Sequence, residues 1–305
     1  MSKLIKTIIG FLLIGLLFVF SCQKKNENKE TMLKGKATIY VDESLMPIVE
    51  DEVAVFENQY DAKLHLIGKS QTEVLNDLLK GTAKIAILTR ELSAEELKVF
   101  QTKKIRPRIT AFATDAIAFI RNKKSNDTLI ALQDLIDFMQ GKEVKTIKGL
   151  VFDNPNSSTV SYLNKISGTK VVSQKNIFSF KTNNDVIKYV AENDGMIGVV
   201  GINWLFQPSL IMQETVDKVN LLSVKNLKSK DYVYPSQDNL AAGKYPLARD
   251  LYIVNCQGFA GLGMGFASFL TEDRGQRIIL KSGLVPIKFP TRKIIIRKEI
   301  TKETK

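Results

Sequence analysis

Hydroxyl side chains cluster where a predicted strand leads into a predicted helix. The apolar run over residues 147–152 is typical of a buried strand, and Ser157, Ser158 and Thr159 follow it at the start of a segment with helical spacing. The first N–H groups of a helix lack partners within the helix and carry partial positive charge. Hydroxyls at such a position favour binding of an oxyanion. An ordinary polar N-cap after a turn is the alternative interpretation.

Residues for metal or nucleophilic catalysis are scarce in this chain. The single histidine, His65, alternates with apolar neighbours on a predicted strand and is expected to face solvent. Zinc sites usually need several His or Cys ligands, and a Ser-His-Asp triad would have to use His65 without a Gly-x-Ser-x-Gly turn. The sequence therefore favours a binding protein over an enzyme, with no metal and no cofactor.

The N-terminus has the pattern of an exported lipoprotein. A short basic start precedes an apolar run over residues 7–20, which is short for a membrane span and fits the core of a signal peptide. Ser21 and Cys22 follow, so residues 1–22 are predicted to be a lipoprotein signal peptide, with Cys22 as the lipidated residue and 23–35 as a tether. An uncleaved anchor is the alternative. Both interpretations place the protein in the periplasm or on the cell surface, attached to a membrane.

The charge and the cysteine content narrow the classes of partner. The formal net charge of +12 favours anions such as phosphate, nucleic acid or acidic lipid. Part of this charge lies in residues 292–305, which we interpret as a solvated tail, and the aromatic interleaving of single-strand nucleic-acid binders is missing. If Cys22 carries lipid, Cys256 has no partner, so we expect a buried thiol and a fold without disulfides.

Predicted strands and helices alternate along the chain. This alternation indicates α/β layers with mostly parallel sheets, and the length suits two domains. The predicted strands cover residues 36–41, 64–67, 85–88, 109–120, 147–152 and 196–201. The predicted helices cover residues 45–60, 70–81, 128–140, 158–167, 184–192 and 266–280, with another that starts at Ser93.

Several segments occur in an order that resembles the extracytoplasmic phosphate-binding proteins of ABC transporters. They are residues 44–47, 86–92, 114–118, 157–159, 194–201, 245–252 and 266–286. The resemblance covers most of the mature length. It implies a two-lobed periplasmic-binding-protein type II fold, with mixed, mostly parallel sheets and helices on both faces.

The resemblance also implies how the lobes are built and what they hold. The first lobe would comprise residues 36–114 and 252–305, and the second 115–251, with crossover strands near 109–120 and 245–255. Inorganic phosphate would be enclosed by hinge closure and delivered to the subunits of an ABC permease. The protein would be a monomer with no nucleic-acid partner.

The ligand-binding residues implied by the resemblance come from both lobes. The first lobe would supply Ser44, Leu45 and Thr89, and the second lobe the cluster 157–159 described above. Backbone N–H groups of Leu45 and Ser158 would complete a mainly uncharged cage. Such donors satisfy a desolvated anion, whose unpaired oxygens would otherwise be costly.

Two positions depart from the family pattern. The family often has an aspartate where Thr89 stands, and an arginine where Asp153 stands. Arg90 is a candidate guanidinium for a bidentate contact to the anion, with a surface arginine as the alternative. Because an acceptor distinguishes a protonated from an unprotonated anion, these departures leave other functions open. These are a sulfate- or molybdate-like ligand, a sensor without transport, a surface lipoprotein with a degenerate pocket and a phosphate-ester hydrolase.

Overall fold

The computed structural model describes residues 30–168 and 176–291. The predicted signal peptide with Cys22, residues 23–29 of the predicted tether and the basic tail 292–305 lie outside these residues. The first strand starts at Lys34, slightly earlier than the sequence pattern predicts, so the end of the predicted tether belongs to the folded body.

The strands form one long mixed sheet and one small sheet. The long sheet is 10-stranded, with the order β2-β1-β3-β12-β4-β8-β6-β7, while β13 and β9 pair with β4, and the small sheet has the order β11-β10-β5. The strands are β1 Lys34–Asp42, β2 Asp61–Lys69, β3 Ile85–Leu88, β4 Arg108–Asn122, β5 Leu129–Ala131, β6 Gly149–Phe152, β7 Ile177–Ser179, β8 Met196–Gly201, β9 Val219–Leu221, β10 Ser223–Lys225, β11 Tyr232–Val233, β12 Ala248–Asn255 and β13 Val285–Pro286.

The helices cover the sheet and connect its strands. They are α1 Met46–Gln59, α2 Gln71–Lys80, α3 Ala94–Thr102, α4 Leu132–Met139, α5 Ser158–Ser167, α6 Asn183–Glu192, α7 Asn203–Phe206, α8 Gln213–Val216, α9 Gln237–Ala241, α10 Leu262–Thr271 and α11 Asp273–Lys281. A short 3-10 turn, Glu43–Leu45, joins β1 to α1.

Two groups of parallel strands flank a pair of long antiparallel strands. Strands β2, β1 and β3 are parallel, as are β8, β6 and β7, whereas β12 and β4 pair with each other antiparallel. We call the elements around the first group the first lobe and those around the second group the second lobe. The predicted mixed α/β class is confirmed, with a further parallel pair, β10 and β5, in the small sheet. The predicted residue limits of the lobes stay a prediction.

Local sequence signals explain several helix starts. Ser70 with Glu73 and Ser93 with Glu96 form capping boxes at α2 and α3, as predicted. Ser157 caps α5 by accepting a hydrogen bond from the Val160 N–H at 3.3 Å. These caps fix the polar loops at the carboxyl ends of the strands.

Two predicted helices differ from the structure. Residues 129–131 begin the predicted helix 128–140 but form β5, because they pair with β10. The predicted helix 266–280 is two helices, since Glu272 has extended backbone between α10 and α11. Gly275 permits this break, because a Cβ there would lie 2.4 Å from the Phe269 carbonyl oxygen.

The core consists mainly of apolar strands and the helix faces packed on them. All residues of β3 and of β6 are buried, as expected for parallel strands covered on both faces. Among residues 30–168 and 176–291, no helix combines the length and apolarity needed to cross a bilayer.

Candidate anion-binding site

The predicted hydroxyl donors of the two lobes meet between the parallel strand groups. Ser44 follows β1 of the first lobe, and Ser158 opens α5 after β6 of the second lobe. Their Oγ atoms lie 3.1 Å apart, and both side chains are buried. Loops at the carboxyl ends of parallel strands are the usual place for a ligand in α/β proteins, and this contact brings together hydroxyls that are distant in sequence.

Arg249 is the main site residue that sequence reasoning missed. It lies on β12 and is 5% exposed. Its Nη1 donates to Ser158 Oγ at 2.8 Å, and its Nη2 donates to Ser44 Oγ at 3.1 Å. The guanidinium therefore contacts the hydroxyls of both lobes and adds a positive charge that the expected, mainly uncharged cage did not include.

A buried carboxylate holds Arg249 in place. Asp115 on β4 lies directly opposite Arg249 on β12, and its Oδ2 accepts from Arg249 Nε at 3.1 Å and Nη2 at 2.9 Å. Burial raises the pKa of Asp115, and the positive charge of Arg249 opposes that shift. Because the pair is buried, removing one partner would leave an uncompensated charge.

Asp42 places a second carboxyl group beside the same hydroxyls. It is fully buried, and its Oδ1 accepts from the Ser44 N–H at 3.1 Å. Its Oδ2 is buried and has no hydrogen-bond partner in the part of the chain that the structure describes. Burial raises the pKa of Asp42, while Arg249 opposes the shift. An acidic group thus lies close to the serines, although Thr89 replaces the expected acid in the sequence.

The other two predicted hydroxyls bind an aspartate of their own loop. Ser157 Oγ and Thr159 Oγ1 donate to Asp153 Oδ1 at 2.6 and 2.7 Å. Asn183 Nδ2 lies 3.3 Å from the other oxygen of Asp153 and donates to it. Asp153, which stands where an arginine was expected, therefore organises the turn before α5, and Ser158 is the hydroxyl of this cluster that contacts Arg249.

Thr89 and Arg90 line the cleft between the lobes, whereas Leu45 lies in the core. Thr89 Oγ1 donates to Gln71 Oε1 at 2.8 Å, and both residues line the cleft. Arg90 also lines the cleft, but its Nη1 and Nη2 donate to Glu96 at 2.9 and 2.7 Å. The bidentate contact expected of Arg90 is thus made to Glu96. Leu45 is fully buried and packs in the core.

A cavity of about 800 Å³ lies between the lobes and reaches the anion site. Its inner wall includes Ser158 and Arg249, and its outer walls come from α2, α5 and β12. The lobes also touch at its rim, where Thr72 Oγ1 of the first lobe donates to the Asn156 carbonyl oxygen of the second at 3.1 Å.

Further contacts between the lobes surround Ser44. Its carbonyl oxygen accepts from Asn203 Nδ2 at 3.0 Å and from Trp204 Nε1 at 2.9 Å. Asn183 Nδ2 donates to Glu43 at 2.7 Å. Burial raises the pKa of Glu43 to about 8, with the nearby charge of Asp153 adding to the shift.

Two other sequence predictions concern residues outside this site. His65 on β2 is exposed, as predicted. Cys256 is buried, as predicted, and burial raises the pKa of its thiol to about 11. Within residues 30–168 and 176–291, no group of three or more His, Cys, Asp or Glu side chains is placed to hold a metal ion.

Comparison with known proteins identifies the family. The family model described as a PBP superfamily domain matches residues 26–274. Over 307 residues the chain is 25% identical to the phosphate-binding protein PstS of Borreliella burgdorferi, an alignment that covers 93% of this chain and 99% of that protein.

Solved structures show the same fold. A phosphate ABC transporter substrate-binding protein with bound phosphate from Clostridium perfringens has a TM-score of 0.69 and 20% identity, covering 83% of this chain and 100% of that chain. An ABC-type phosphate transport receptor from Vibrio cholerae has a TM-score of 0.59 and 18% identity, covering 82% of this chain and 99% of that chain. The predicted type II fold is confirmed, and the chain belongs to the PBP superfamily.

Proposed function

We propose that this protein binds inorganic phosphate outside the cytoplasm and delivers it to an ABC permease. The observation that carries the proposal is the contact of Arg249 with Ser44 of one lobe and Ser158 of the other. A guanidinium and two hydroxyls converge there from three separated parts of the chain. The relatives in Borreliella burgdorferi, Clostridium perfringens and Vibrio cholerae, whose names describe phosphate binding or transport, support the choice of ligand.

The donors suit a tetrahedral oxyanion. Arg249 presents several N–H groups in a fixed fork that matches the oxygens of a phosphate. Ser158 is the first residue of α5, where unpaired N–H groups and the helix dipole favour negative charge. An anion that replaces the Arg249–serine contacts would bind both lobes at once, so binding would stabilise the closed form.

Asp42 supports phosphate over sulfate. At neutral pH much phosphate is monohydrogen phosphate, which carries a proton that it can donate, whereas sulfate carries none. If the charge of Arg249 keeps Asp42 ionised against the effect of burial, Asp42 would accept a hydrogen bond from that proton through Oδ2. It would repel sulfate, since both are then acceptors only. We therefore assign to Asp42 the acceptor role of the aspartate that the family often has at the position of Thr89.

The remaining parts of the proposal concern location and partners. After removal of the signal peptide, the lipid on Cys22 would attach the protein to a membrane through the tether 23–35. The protein would act as a monomer, would need no cofactor and would catalyse no reaction. A phosphatase assay with and without added divalent metal tests the last point, since turnover of a phosphate ester would favour the hydrolase alternative.

Calorimetry with the protein lacking residues 1–22 tests the ligand directly. Phosphate, sulfate and molybdate are titrated separately into the same preparation. We expect saturable binding of phosphate and at least tenfold weaker binding of the other two anions, about 1.4 kcal/mol or more. Absence of phosphate binding at millimolar concentration would overturn the proposal, and tighter binding of sulfate or molybdate would reassign the ligand.

A further inference from the structure

The cleft remains spacious although the lobes are already in contact. The serine hydroxyls of the two lobes are 3.1 Å apart at the inner wall, and Thr72 donates to Asn156 at the rim. Between these contacts lies the cavity of about 800 Å³. This volume falls in the range typical of pockets for organic ligands, about 300–1,000 Å³, and far exceeds what one inorganic phosphate fills.

The cavity beyond the anion site has mixed polar and apolar walls that include two tyrosine rings. Leu75 of α2, Tyr162 of α5 and Tyr252 of β12 line it. Both tyrosine rings are partly buried, and burial raises the pKa of each hydroxyl, so both are neutral at physiological pH. Tyrosine rings offer a large contact area to an organic group and a hydroxyl that can hydrogen-bond to it.

A positively charged side chain, Lys165, also lies in the outer part of the cavity. Lys165 of α5 lines the cavity and is exposed. It makes no ion pair among the residues that the structure describes, in contrast to Arg90, which is paired with Glu96. The carboxylates of Glu91 and Asp250 line the same cavity, so Lys165 offsets part of their negative charge.

We propose that the cleft accepts small phosphate monoesters as well as inorganic phosphate. The proposal rests on the proposed function, because it uses the same anion site. The phosphate group would bind Arg249, Ser44 and Ser158, and its bridging oxygen would point outward, so that the organic group lies against Tyr162 and Tyr252. A monoester dianion has three non-bridging oxygens that can accept hydrogen bonds from these donors. Its fourth oxygen bridges to the organic group, so it needs no donor from the cleft.

Calorimetry with three probes tests the inference on the protein lacking residues 1–22. The probes are inorganic phosphate, methyl phosphate and phenyl phosphate. We expect both esters to bind within about tenfold of inorganic phosphate, and phenyl phosphate to bind tighter than methyl phosphate because its ring contacts the tyrosines. Ester binding more than a hundredfold weaker than phosphate binding would overturn the inference and leave the proposed function intact.

Variants of the outer wall separate the two proposals further. Tyr162→Ala with Tyr252→Ala should weaken phenyl phosphate about tenfold and change inorganic phosphate less than twofold. Tyr232→Ala, an exposed tyrosine on β11, is the matched control and should change neither. An equal loss for both ligands would contradict the inference. If no probe binds, both proposals fail, whereas ester binding without phosphate binding would support the inference and overturn the choice of inorganic phosphate.

Discussion

At the scale of single residues, the site is built around one guanidinium and several buried acids. Arg249 contacts Asp115, which is opposite it on the neighbouring strand, and Asp42 lies beside the serine hydroxyls that Arg249 also contacts. Because of these acids, the site is not a uniformly positive pocket. Asp115 orients Arg249, and under the proposed function the acids would restrict which anions and which protonation states fit.

Arg249→Ala should abolish tight phosphate binding. Loss of two charged hydrogen bonds should weaken binding by about 3 kcal/mol or more, at least a hundredfold. The same change leaves Asp115 buried without its partner, so the free energy of unfolding should fall by about 3–5 kcal/mol. Calorimetry and urea denaturation measure the two effects.

A double variant separates binding from stability. Arg249→Met with Asp115→Leu removes both charges, so stability should return close to that of the unaltered protein while phosphate binding stays lost. Arg277→Ala, which removes an exposed arginine paired with Asp273, is the control. Restored phosphate binding in the double variant would rule out a direct role of Arg249.

Asp42→Asn should reduce discrimination between phosphate and sulfate. The amide keeps the size of the side chain but cannot be an ionised proton acceptor. Phosphate binding should weaken about tenfold and sulfate binding should strengthen, as measured by competitive calorimetry. The exposed Asp61→Asn serves as the control. An unchanged ratio of the two affinities would argue against Asp42 as the selectivity residue.

At the scale of elements, the sequence predicts what depends on neighbours in the chain. Helix α5 with its serine start and strand β8 have the predicted bounds, because capping and hydrophobic periodicity are local signals. Strand β5 was missed because its partner β10 is distant in sequence.

The grouping of the site side chains was predicted only in part, because some of their contacts join strands that are distant in sequence. Ser44 and Ser158 meet as the resemblance implied, but the role of Arg249 depends on the pairing of β12 with β4. A charged residue within each of two apolar strands was the available signal. The contact of Arg90 with Glu96, a capping residue of α3, agrees with the alternative of a surface arginine, and binding of an anion by Arg90 stays a prediction.

Helix α1 carries a buried acid that should make stability depend on pH. Glu52 is fully buried, and both carboxylate oxygens lack partners among the described residues. Burial raises its pKa from 4.5 to about 9. The folded protein therefore keeps a proton that the unfolded chain releases above about pH 4.5, so stability falls as the pH rises through this window.

Glu52→Gln should remove this dependence. The variant should be close to the unaltered protein in stability near pH 4.5 and gain relative to it as the pH rises, by on the order of 1 kcal/mol per pH unit. Urea denaturation between pH 4.5 and 8 measures the difference, with the exposed Glu192→Gln as control. Parallel stability curves for the Glu52 variant and the unaltered protein would contradict the assignment.

At the scale of the whole molecule, the lobes are joined by β4 and β12 and touch around one cleft. Trp204, the single tryptophan of the chain, lies on α7 of the second lobe and donates to the carbonyl oxygen of Ser44 in the first lobe. Its surroundings therefore report on whether the lobes are together or apart.

Phosphate should change the fluorescence of Trp204. If the protein opens and closes in solution, saturating phosphate should favour the closed form and shift the emission to shorter wavelength, because the indole is then less exposed to water. Arg249→Ala should abolish the shift. Identical emission spectra with and without phosphate would contradict closure of the lobes around the ligand.

The central claim is that one anion binds at the point where Arg249 and the serines of both lobes converge. A crystal structure of the protein with arsenate, a phosphate analogue with a strong anomalous signal, tests it most directly. We predict one arsenic peak, placed so that the arsenate oxygens accept hydrogen bonds from Ser44 Oγ, Ser158 Oγ and the Arg249 guanidinium. A peak elsewhere on the molecule, with these three groups still bonded to one another, would contradict the account.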